Sequence, residues 1–552
     1  MTTFGGRRVQ HLSRRRILAI GASGMAAAFI VACGGSSTDN AATTETSPAP
    51  GSAPATKQGT YTYAPKTGKT REMMTVGVAG IAAGLDPTVQ LSNVGQRQSY
   101  IIYDTLIRRQ FLEHDTLAPA LATAWERPDD TTFTLKLRDG VTWHNGDPFT
   151  AEDVKYTFER IYLPDSGAIE ARGMYDTIDT IEPVDRLTAR IKTKGPEPVI
   201  EKRLANYGAW IVPRSYLEAN GEQKFNQTGI GTGPFKVTAL ESDNQLVMER
   251  NESYWEEKPN LKRLTYRVTP EGSTRVTSLL NGEAQIITNV APDQVPTLAG
   301  APAIDVRDTP LVSHHVLRYN TNHPVLKNEK LRQAMNLAID RRLLIDTLWN
   351  GKAGEARSHQ YEEYGPLYNA ERPVLSHDAA RAKALVAESG YNGETVTYRT
   401  QRDYYTNGLQ AAEAIVDMWK QAGINAEINL VGAGDKIVLS ELMVANWSNT
   451  SRFADPDGNL WIYWGKNSAV QKDYWNLQDQ EFNRLGEAAR TTLDEKTRFD
   501  HYQKMLDIWE KEAPGTVLYL PVENYGVQKE VNWNPYTLYF MDFRAYNLSF
   551  NT

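Results

Sequence analysis

Cysteine is almost absent from this chain of 552 residues, because Cys33 is the only one. A single cysteine excludes an intramolecular disulfide. The sequence also lacks a Gly-x-Ser-x-Gly elbow, a His-Glu-x-x-His helix, a Walker loop and a dinucleotide-binding fingerprint. What is present is the composition of a globular protein, with 41% hydrophobic and 23% charged residues. A chain of this length is expected to form about two to four compact units.

The first 32 residues have the composition of a signal peptide. Five arginines and no acidic residue precede an uncharged, mostly apolar run from Ile17 to Ala32. This run is shorter than the roughly 20 residues that a membrane span needs. Ser13 to Leu18 resembles the twin-arginine export motif, so this route and the general route both remain open. Ile30 to Cys33 resembles a lipobox, which predicts cleavage before Cys33 and acylation of its thiol.

The charge of the chain bears on its partners. The whole sequence has a net charge of −7, and removal of the arginine-rich leader makes the mature protein more acidic. An acidic body argues against nucleic acid as a partner. Residues 34–60 contain no large apolar residue and cannot form a core. Residues 33–70 are therefore predicted to be a lipidated cysteine and a flexible linker, which hold the exported protein at the outer face of the cytoplasmic membrane or in the periplasm.

Strand and helix signals alternate through the rest of the chain. Residues 133–137 alternate between apolar and polar side chains, and the following Asp139-Gly140 predicts a β-hairpin. Thr150 begins a capping-box sequence with apolar residues at helical spacing behind it, which predicts a helix. Around Gly423 the pattern predicts a helix, its glycine cap and a strand. Such alternation is typical of α/β domains with open sheets.

One stretch, from Leu117 to Val154, contains Trp143-His144-Asn145-Gly146-Asp147-Pro148 directly before the predicted helix. Further motifs follow the same order along the chain, namely Leu85-Asp86-Pro87, Tyr103-Asp104-Thr105-Leu106, Gly231-Thr232-Gly233-Pro234-Phe235, Tyr254-Trp255, Asn281-Gly282-Glu283-Ala284 and Ala338-Ile339-Asp340-Arg341. Together they resemble the peptide/nickel family, family 5, of ABC-transporter substrate-binding proteins. The tryptophans and the turn of the signature itself are interpreted as structural.

The resemblance implies an α/β fold of the bilobal periplasmic-binding-protein clamshell type, class II, in the large three-domain peptide-binding form with two hinge crossovers. Domain I is expected at 71–99, 230–314 and 516–552, domain II at 100–229, and domain III, the closing lobe, at 315–515. The resemblance also implies a monomer, without cofactor or enzymatic step, that captures a small polar solute by closure. This solute, with peptide as the first choice, is delivered to the permease subunits of an ABC importer.

The solute site is expected near Trp447. In peptide-binding members of the family, an aspartate four residues before a proline pairs with the ammonium group of the ligand. In this sequence the residue four positions before Pro456 is Arg452. A guanidinium repels an ammonium group and suits a carboxylate, a phosphate or a hydroxyl-rich solute. Asp455 or Asp457 is the alternative partner for an amine.

Other candidates for the solute site are aromatic or polar. The aromatic ones in the same segment are Trp447, Phe453, Trp461 and Trp464, for which core packing is the alternative. A second group follows a predicted strand at its carboxyl end, where α/β crevices open, and consists of Arg402, Tyr404 and Tyr405. Asn93 and Gln96 are the candidates from the first lobe, with a polar loop as the alternative.

No metal site is predicted from the histidines. The nine histidines have no paired ligand spacing, apart from the adjacent His314 and His315, whose side chains would point to opposite faces of a strand. Three other functions remain open. The same fold can bind an oligosaccharide or an anionic opine-like solute, it can serve a sensor that reports to a membrane kinase, and an extracellular hydrolase has no short signature that the sequence could exclude.

Overall fold

The computed structural model describes residues 63–112, 116–163, 168–402, 404–432 and 435–551, with only the backbone of residues 169 and 170. The predicted signal peptide, the lipidation site Cys33 and most of the predicted linker lie outside these residues. Within the described part of the chain, no helix combines the length and the apolar character that a membrane crossing requires. Strands and helices are numbered along the chain.

The largest sheet has seven strands in the order β12-β18-β11-β1-β10-β9-β8. They are β1 (Arg71–Val78), β8 (Phe235–Glu241), β9 (Gln245–Arg250), β10 (Leu261–Val268), β11 (Ile286–Ile287), β12 (Ile304–Pro310) and β18 (Val522–Gln528). Helices α6 (Gly272–Leu280) and α7 (Val295–Ala299) accompany it. β1 pairs in parallel with β10 and β11, and Val76 at its centre is fully buried. This sheet supplies the strands of the predicted domain I.

A four-stranded sheet in the order β4-β5-β7-β6 lies in the predicted domain II. Its strands are β4 (Ala122–Asp129), β5 (Thr132–Leu137), β6 (Ile178–Asp185) and β7 (Thr188–Thr193), and β2 (Ile107–Gln110) and β3 (Thr116–Pro119) form a separate pair. The helices before and within this region are α1 (Asn93–Ile102), α2 (Ala151–Tyr162), α3 (Ile169–Tyr175), α4 (Ile200–Leu204) and α5 (Arg214–Thr228).

The predicted helix is confirmed and the predicted hairpin is corrected. The backbone N–H of Thr150 donates to the carboxylate of Asp153 at 2.9 Å, which completes the capping box of α2. The strand at 133–137 is present as β5, but its hairpin partner is β4, which precedes it. The turn at Asp139-Gly140 instead leads out of the sheet to an isolated bridge between Thr142 and Pro148. The alternation identified the strand, whereas its pairing depended on the whole sheet.

The third sheet has five strands in the order β15-β14-β16-β13-β17. They are β13 (Ser313–Tyr319), β14 (Val396–Gln401), β15 (Ala426–Val431), β16 (Val444–Thr450) and β17 (Gly515–Tyr519). Its helices are α8 (Glu329–Ala338), α9 (Arg341–Leu348), α10 (Ala379–Ser389), α11 (Gly408–Gln421), α12 (Leu460–Trp464), α13 (Ala469–Asp473), α14 (Glu481–Thr491) and α15 (Glu495–Glu512). The helix, cap and strand predicted around Gly423 are α11, a glycine at φ +93° and β15.

Two short links connect the first sheet with the third. One joins β12 to β13 and the other joins β17 to β18, and the N–H of Leu311 in the first link donates to the carbonyl of Pro521 in the second at 3.0 Å. These links are the two crossovers of the predicted clamshell. The strand content of the three sheets supports the three-domain division, whose boundaries stay a prediction. β19 (Val531–Trp533) and β20 (Leu548–Phe550) form a final pair.

Several of the motifs meet at the buried carboxylate of Asp104. It accepts hydrogen bonds from Arg544 Nη2 at 2.7 Å, from the indole of Trp255 at 2.9 Å and from the hydroxyl of Thr232 at 3.1 Å. A buried carboxylate requires such compensation for its lost hydration. The motifs around Asp104, Thr232 and Trp255 therefore serve the packing of the first lobe.

His144 of the signature is structural as well. Its Nδ1 accepts from the N–H of Gly231 at 3.2 Å, so Nε2 carries the proton and donates to the carbonyl of Gly233 at 3.0 Å. Burial lowers the pKa of His144 to about 4, which keeps this tautomer neutral at physiological pH. The ring thus fastens the signature loop to the Gly231-Thr232-Gly233 motif.

Candidate functional site

A cavity of about 450 Å³ opens between the two lobes. Residues 89–93 and the part of domain II around Asp176 and Tyr207 line one side. The opposite side consists of residues 404–405, 447–448, 450, 452, 461–463, 467–469 and 472–473 from the third domain. A solute in this cavity would contact both lobes, which is the arrangement that couples binding to closure.

Arg452 lies in the wall of this cavity and is 7% exposed. Its Nη1 donates to the hydroxyl of Tyr207 and to the carbonyl of Leu91, the latter at 3.4 Å. The guanidinium also lies 4.5 Å from the ring centroid of Tyr207 and 5.3 Å from that of Tyr463. Two aromatic faces and a hydroxyl thus hold a cation in a partly desolvated position, where its field is stronger than in water.

The four aromatic candidates divide into two groups. Trp447 and Trp461 line the cavity, and the Trp447 ring contacts Tyr463 edge to face at a centroid distance of 5.1 Å. Trp464 is fully buried, and its indole N–H donates to Asn449 Oδ1 at 3.0 Å. Phe453 is buried, and the guanidinium carbon of Arg203 lies 4.8 Å from the centroid of its ring. The placement of Trp464 and Phe453 is that of core residues.

Asp455 and Asp457, the alternative amine partners, are both fully buried and both engaged by arginines. The carboxylate of Asp455 accepts two hydrogen bonds from Arg498 Nη2, at 2.8 and 2.9 Å. It also accepts from the backbone N–H of Asp457 at 3.0 Å and thereby caps the short 3-10 helix Pro456–Gly458. The described lining of the cavity includes neither aspartate. Their positions therefore offer no support for an amine-binding role.

A second cavity of about 610 Å³ continues the cleft towards the first sheet. Asn93, Tyr404 and Tyr405 line both cavities, and Arg402 lines the second one. The hydroxyl of Thr450 lies 3.5 Å from the side-chain oxygen of Asn93, so the contact between these two residues connects the lobes. Since the two cavities share Asn93, Tyr404 and Tyr405, they adjoin each other within one cleft.

Gln96, the remaining candidate from the first lobe, lies outside the lining of both cavities. Its side chain is fully buried within α1, and the structure gives its amide no hydrogen-bond partner. The neighbouring Arg97 forms a buried ion pair with Glu523 at 2.7 Å and lines the second cavity. One turn of a helix thus separates a cleft-lining residue, Asn93, from one in the interior.

A group of ion pairs that the sequence reasoning missed connects domain II with the third domain. Arg203 from α4 pairs with Asp457, and Arg490 from α14 bonds both Asp457 and Asp176, the latter at 2.5 Å. Although burial by itself would raise the pKa of Asp457, the guanidiniums of Arg203 and Arg490 hold it below its ordinary value. We call Arg203, Arg490, Asp457 and Asp176 the interlobe ion network. No local sequence signal marks it, because its members belong to segments far apart in the chain.

The histidines form no metal centre in the part of the chain that the structure describes. His314 stacks on Tyr361 at a centroid distance of 4.1 Å, whereas His315 lies 5.3 Å from Tyr519 on the other face of β13. The opposite orientation expected for a strand is therefore confirmed. Burial lowers the pKa of His315 to about 3, so both rings belong to the packed interior.

Comparison with known proteins identifies the family to which this chain belongs. Residues 116–471, more than half of the chain, match the family model described as "Bacterial extracellular solute-binding proteins, family 5 Middle". The chain belongs to this family. Family 5 membership confirms the bilobal fold and implies an exported protein that binds a small solute and works with an ABC permease.

Relatives of this family 5 protein include two peptide-binding proteins. The chain is 27% identical over 486 residues to di/tripeptide-binding protein 3 of Pseudomonas aeruginosa strain UCBPP-PA14, which covers 82% of this chain and 90% of the relative. It is 25% identical over 484 residues to the dipeptide-binding protein of Escherichia coli K12, with 82% and 90% covered.

Solved structures with the same fold were found with two different kinds of ligand. The periplasmic binding protein DppA from Helicobacter pylori, in complex with the peptide STSA, has a TM-score of 0.79 and 25% identity and covers 88% of this chain and 99% of that one. AgaA from A. tumefaciens R10, in complex with agropinic acid, has a TM-score of 0.77 and 25% identity, with 87% and 99% covered.

Proposed function

We propose that this protein is the receptor of an ABC importer for a short peptide or peptide-like solute whose carboxylate binds at Arg452. The observation that carries the proposal is the cationic side chain of Arg452 in the wall of a cavity that both lobes line. A volume of about 450 Å³ is within the usual range for small-molecule sites. The peptide-binding relatives and the peptide-bound neighbour support the solute class.

The orientation of the peptide follows from the charges in the cavity wall. Arg452 attracts the terminal carboxylate, because a guanidinium offers donors and no acceptor. The amino end then lies towards Asp473, an exposed carboxylate of the same wall. Relative to the peptide binders that use an aspartate at the position of Arg452, the solute would bind with its charged ends exchanged.

Delivery follows from closure of the two lobes. A solute that contacts both walls binds the closed form better than the open form and shifts the population towards it. The two short links between the sheets provide the hinge for this motion. No bond in the solute is made or broken in this cycle, so the proposed function is binding and not catalysis.

The proposed cellular arrangement depends on the N-terminal segment. A lipid on Cys33 would hold a monomeric receptor at the membrane after export by the twin-arginine or the general route, and the linker would let it reach the permease. The motifs of the leader in the sequence support this arrangement.

A second candidate solute is an anionic opine-like conjugate. The observation that favours it is the same cation, Arg452, together with the likeness to a structure bound to agropinic acid. Where the nitrogen of such a solute is part of an amide or a lactam, it has no ammonium group for Arg452 to repel, and its carboxylate would satisfy Arg452 without the exchanged orientation.

Calorimetric titration of the mature protein with matched peptides tests the proposal. The panel contains a tripeptide, its N-acetyl form and its C-terminal amide, alongside an opine and an oligosaccharide. We expect the acetylated peptide to bind and the amide to bind at least about tenfold more weakly, because a charge-assisted hydrogen bond is lost. Equal affinity for the acid and the amide would contradict the role of Arg452, and binding of the oligosaccharide alone would contradict the solute class.

A further inference from the structure

The buried arginines of this protein are compensated in two ways. Eight of those in the described part of the chain form ion pairs with carboxylates, namely Arg97, Arg108, Arg109, Arg203, Arg372, Arg490, Arg498 and Arg544. The other four donate to backbone carbonyls, namely Arg275, Arg332, Arg341 and Arg452. Such compensation is expected, since an uncompensated charge in the interior is costly.

Arg318 on β13, which is only partly buried, has neither kind of partner in the ranges that the structure describes. Its guanidinium carbon lies 5.2 Å from the ring centroid of Trp447 and 4.4 Å from that of Tyr474. Its Nε is shielded from solvent and has no hydrogen-bond partner. Among the described residues, no carboxylate oxygen lies within 4.0 Å of this guanidinium. Burial accordingly lowers the pKa of Arg318 from its ordinary value.

A second cation occupies the same row of the sheet. Arg318 on β13 and Arg399 on β14 both pair with Ala445 of β16, which lies between them. Paired residues of neighbouring strands point to the same face, so both arginines share the face that carries Trp447. Arg399 donates to the carbonyl of Asp435 at 2.8 Å, which leaves its charge in place. The two cations raise the positive potential of this face, which favours an anion close to them.

This face reaches the cavity between the lobes at Trp447, whereas Arg318 and Arg399 themselves are not among the described residues that line either cavity. Trp447, which stacks on Arg318, belongs to the cavity wall, as do Lys472 and the exposed Asp473 beyond Tyr474. We infer that Arg318 is a second anion-binding residue of the solute site, and that the preferred solute is a short peptide with an acidic side chain in addition to its terminal carboxylate. The inference rests on the proposed function and specifies the solute class of that same site.

The spacing of the two arginines fits such a solute. Arg318 lies opposite Ala445, and β16 continues to Thr450, two residues before Arg452. Five residues of extended strand span about 16 Å. An extended tripeptide covers about 10 Å, and the long side chains of the two arginines span the remainder. Trp447, between them, offers an aromatic face for the peptide.

The test compares peptides that differ only in one charge. Ala-Glu-Ala and Ala-Gln-Ala have the same length and termini, and their affinities are measured by calorimetric titration of the mature protein. We expect the glutamate peptide to bind about tenfold more tightly than the glutamine peptide, because it gains a charge-assisted hydrogen bond. In Arg318→Gln this difference should disappear through weaker binding of the glutamate peptide, whereas the glutamine peptide keeps its affinity.

Two further variants guard the interpretation. Arg318→Lys keeps the charge but loses the fork of donors, so it should retain part of the preference. Arg381→Gln removes an exposed arginine that pairs with Glu388 on α10 and should keep the full preference. Thermal unfolding of each variant verifies that it folds.

Three outcomes overturn the inference, and they are distinguishable. Equal binding of both peptides by the unaltered protein, or a preference that survives in Arg318→Gln, rejects the role of Arg318 and leaves the proposed function standing. If neither peptide binds while other solutes do, the proposed function fails and the inference fails with it.

Discussion

Two positions only five residues apart use arginine in different ways. At Asp457, a buried carboxylate joins Arg203 of domain II to Arg490 of the third domain. At Arg452, a cation lies in the cavity wall against the rings of Tyr207 and Tyr463. The charges of the first arrangement are paired within the protein and link the lobes, whereas the second places positive charge in the wall of the proposed solute site. We therefore expect substitutions at Asp457 to act on stability and substitutions at Arg452 to act on affinity.

Removal of the carboxylate at Asp457 should have the largest effect. Asp457→Ala leaves Arg203 and Arg490 buried with less compensation, which should lower the free energy of unfolding by about 3 to 5 kcal/mol. Urea unfolding followed by tryptophan fluorescence measures the change. A loss below about 1 kcal/mol would show that solvent or Asp176 replaces the missing charge, and the network would then not hold the lobes.

The buried histidines and the interlobe ion network should lower the stability of the protein in different ranges of pH. Burial lowers the pKa of His144 to about 4 and those of His315 and His359 to about 3. The unfolded chain binds these protons at a higher pH than the folded protein does. The free energy of unfolding is therefore at its full value above about pH 6.5, and it falls as the pH decreases towards the pKa values of the folded state. At pH 5 the loss should be about 2 kcal/mol for each histidine.

The interlobe ion network should respond only in stronger acid. The pKa of Asp457 is lowered in the folded state, so its contribution persists above its unfolded value of about 3.9 and is lost as the pH falls below it. Calorimetric unfolding between pH 7.5 and pH 3 follows both groups. His359→Phe should reduce the loss of stability between pH 7.5 and 5, and the exposed His377→Gln is the matched control. Constant stability down to pH 5 would contradict the assignment to histidine.

Arg452→Gln should lower the affinity for the solute rather than the stability of the protein. We expect a loss of about tenfold to a hundredfold in affinity for a peptide with a free carboxylate, equivalent to about 1.4 to 2.7 kcal/mol. The same variant should bind the C-terminal amide as the unaltered protein does. Titration and thermal unfolding of one sample separate the two effects, and unchanged affinity with a large fall in stability would reverse the roles assigned to Arg452 and Asp457.

An exposed ion pair serves as the control for the effect of burial on the free energy of unfolding. Lys262 and Glu72 lie 2.8 Å apart on neighbouring strands with about half or more of each side chain in solvent. Lys262→Ala should change the free energy of unfolding by less than about 0.5 kcal/mol, because water screens the pair and competes with it. Urea unfolding under the conditions used for Asp457→Ala measures this, and a change as large as that of Asp457→Ala would remove burial as the explanation.

The candidate site shows where reasoning from a short segment reaches its limit. Arg452, Trp447 and Trp461 line the cavity, but Trp464 and Phe453 from the same segment lie in the interior. Aromatic residues suit a core and a cleft wall equally well, so composition cannot separate them. Residues 404 and 405 were easier to place, because they follow β14 at its carboxyl end, where the topology of an α/β domain opens its crevice.

Sequence alone determined the family, the α/β class and the position of individual elements such as α2 and α11, because periodicity and capping are local properties. It also places Arg452 four residues before Pro456, where the family resemblance predicts the amine-binding aspartate of the peptide binders. Only the tertiary structure decided that β5 pairs with β4 and that Arg203 meets Asp457, which is 254 residues away. Contacts of that kind depend on how whole lobes pack, and no short stretch of sequence contains that information.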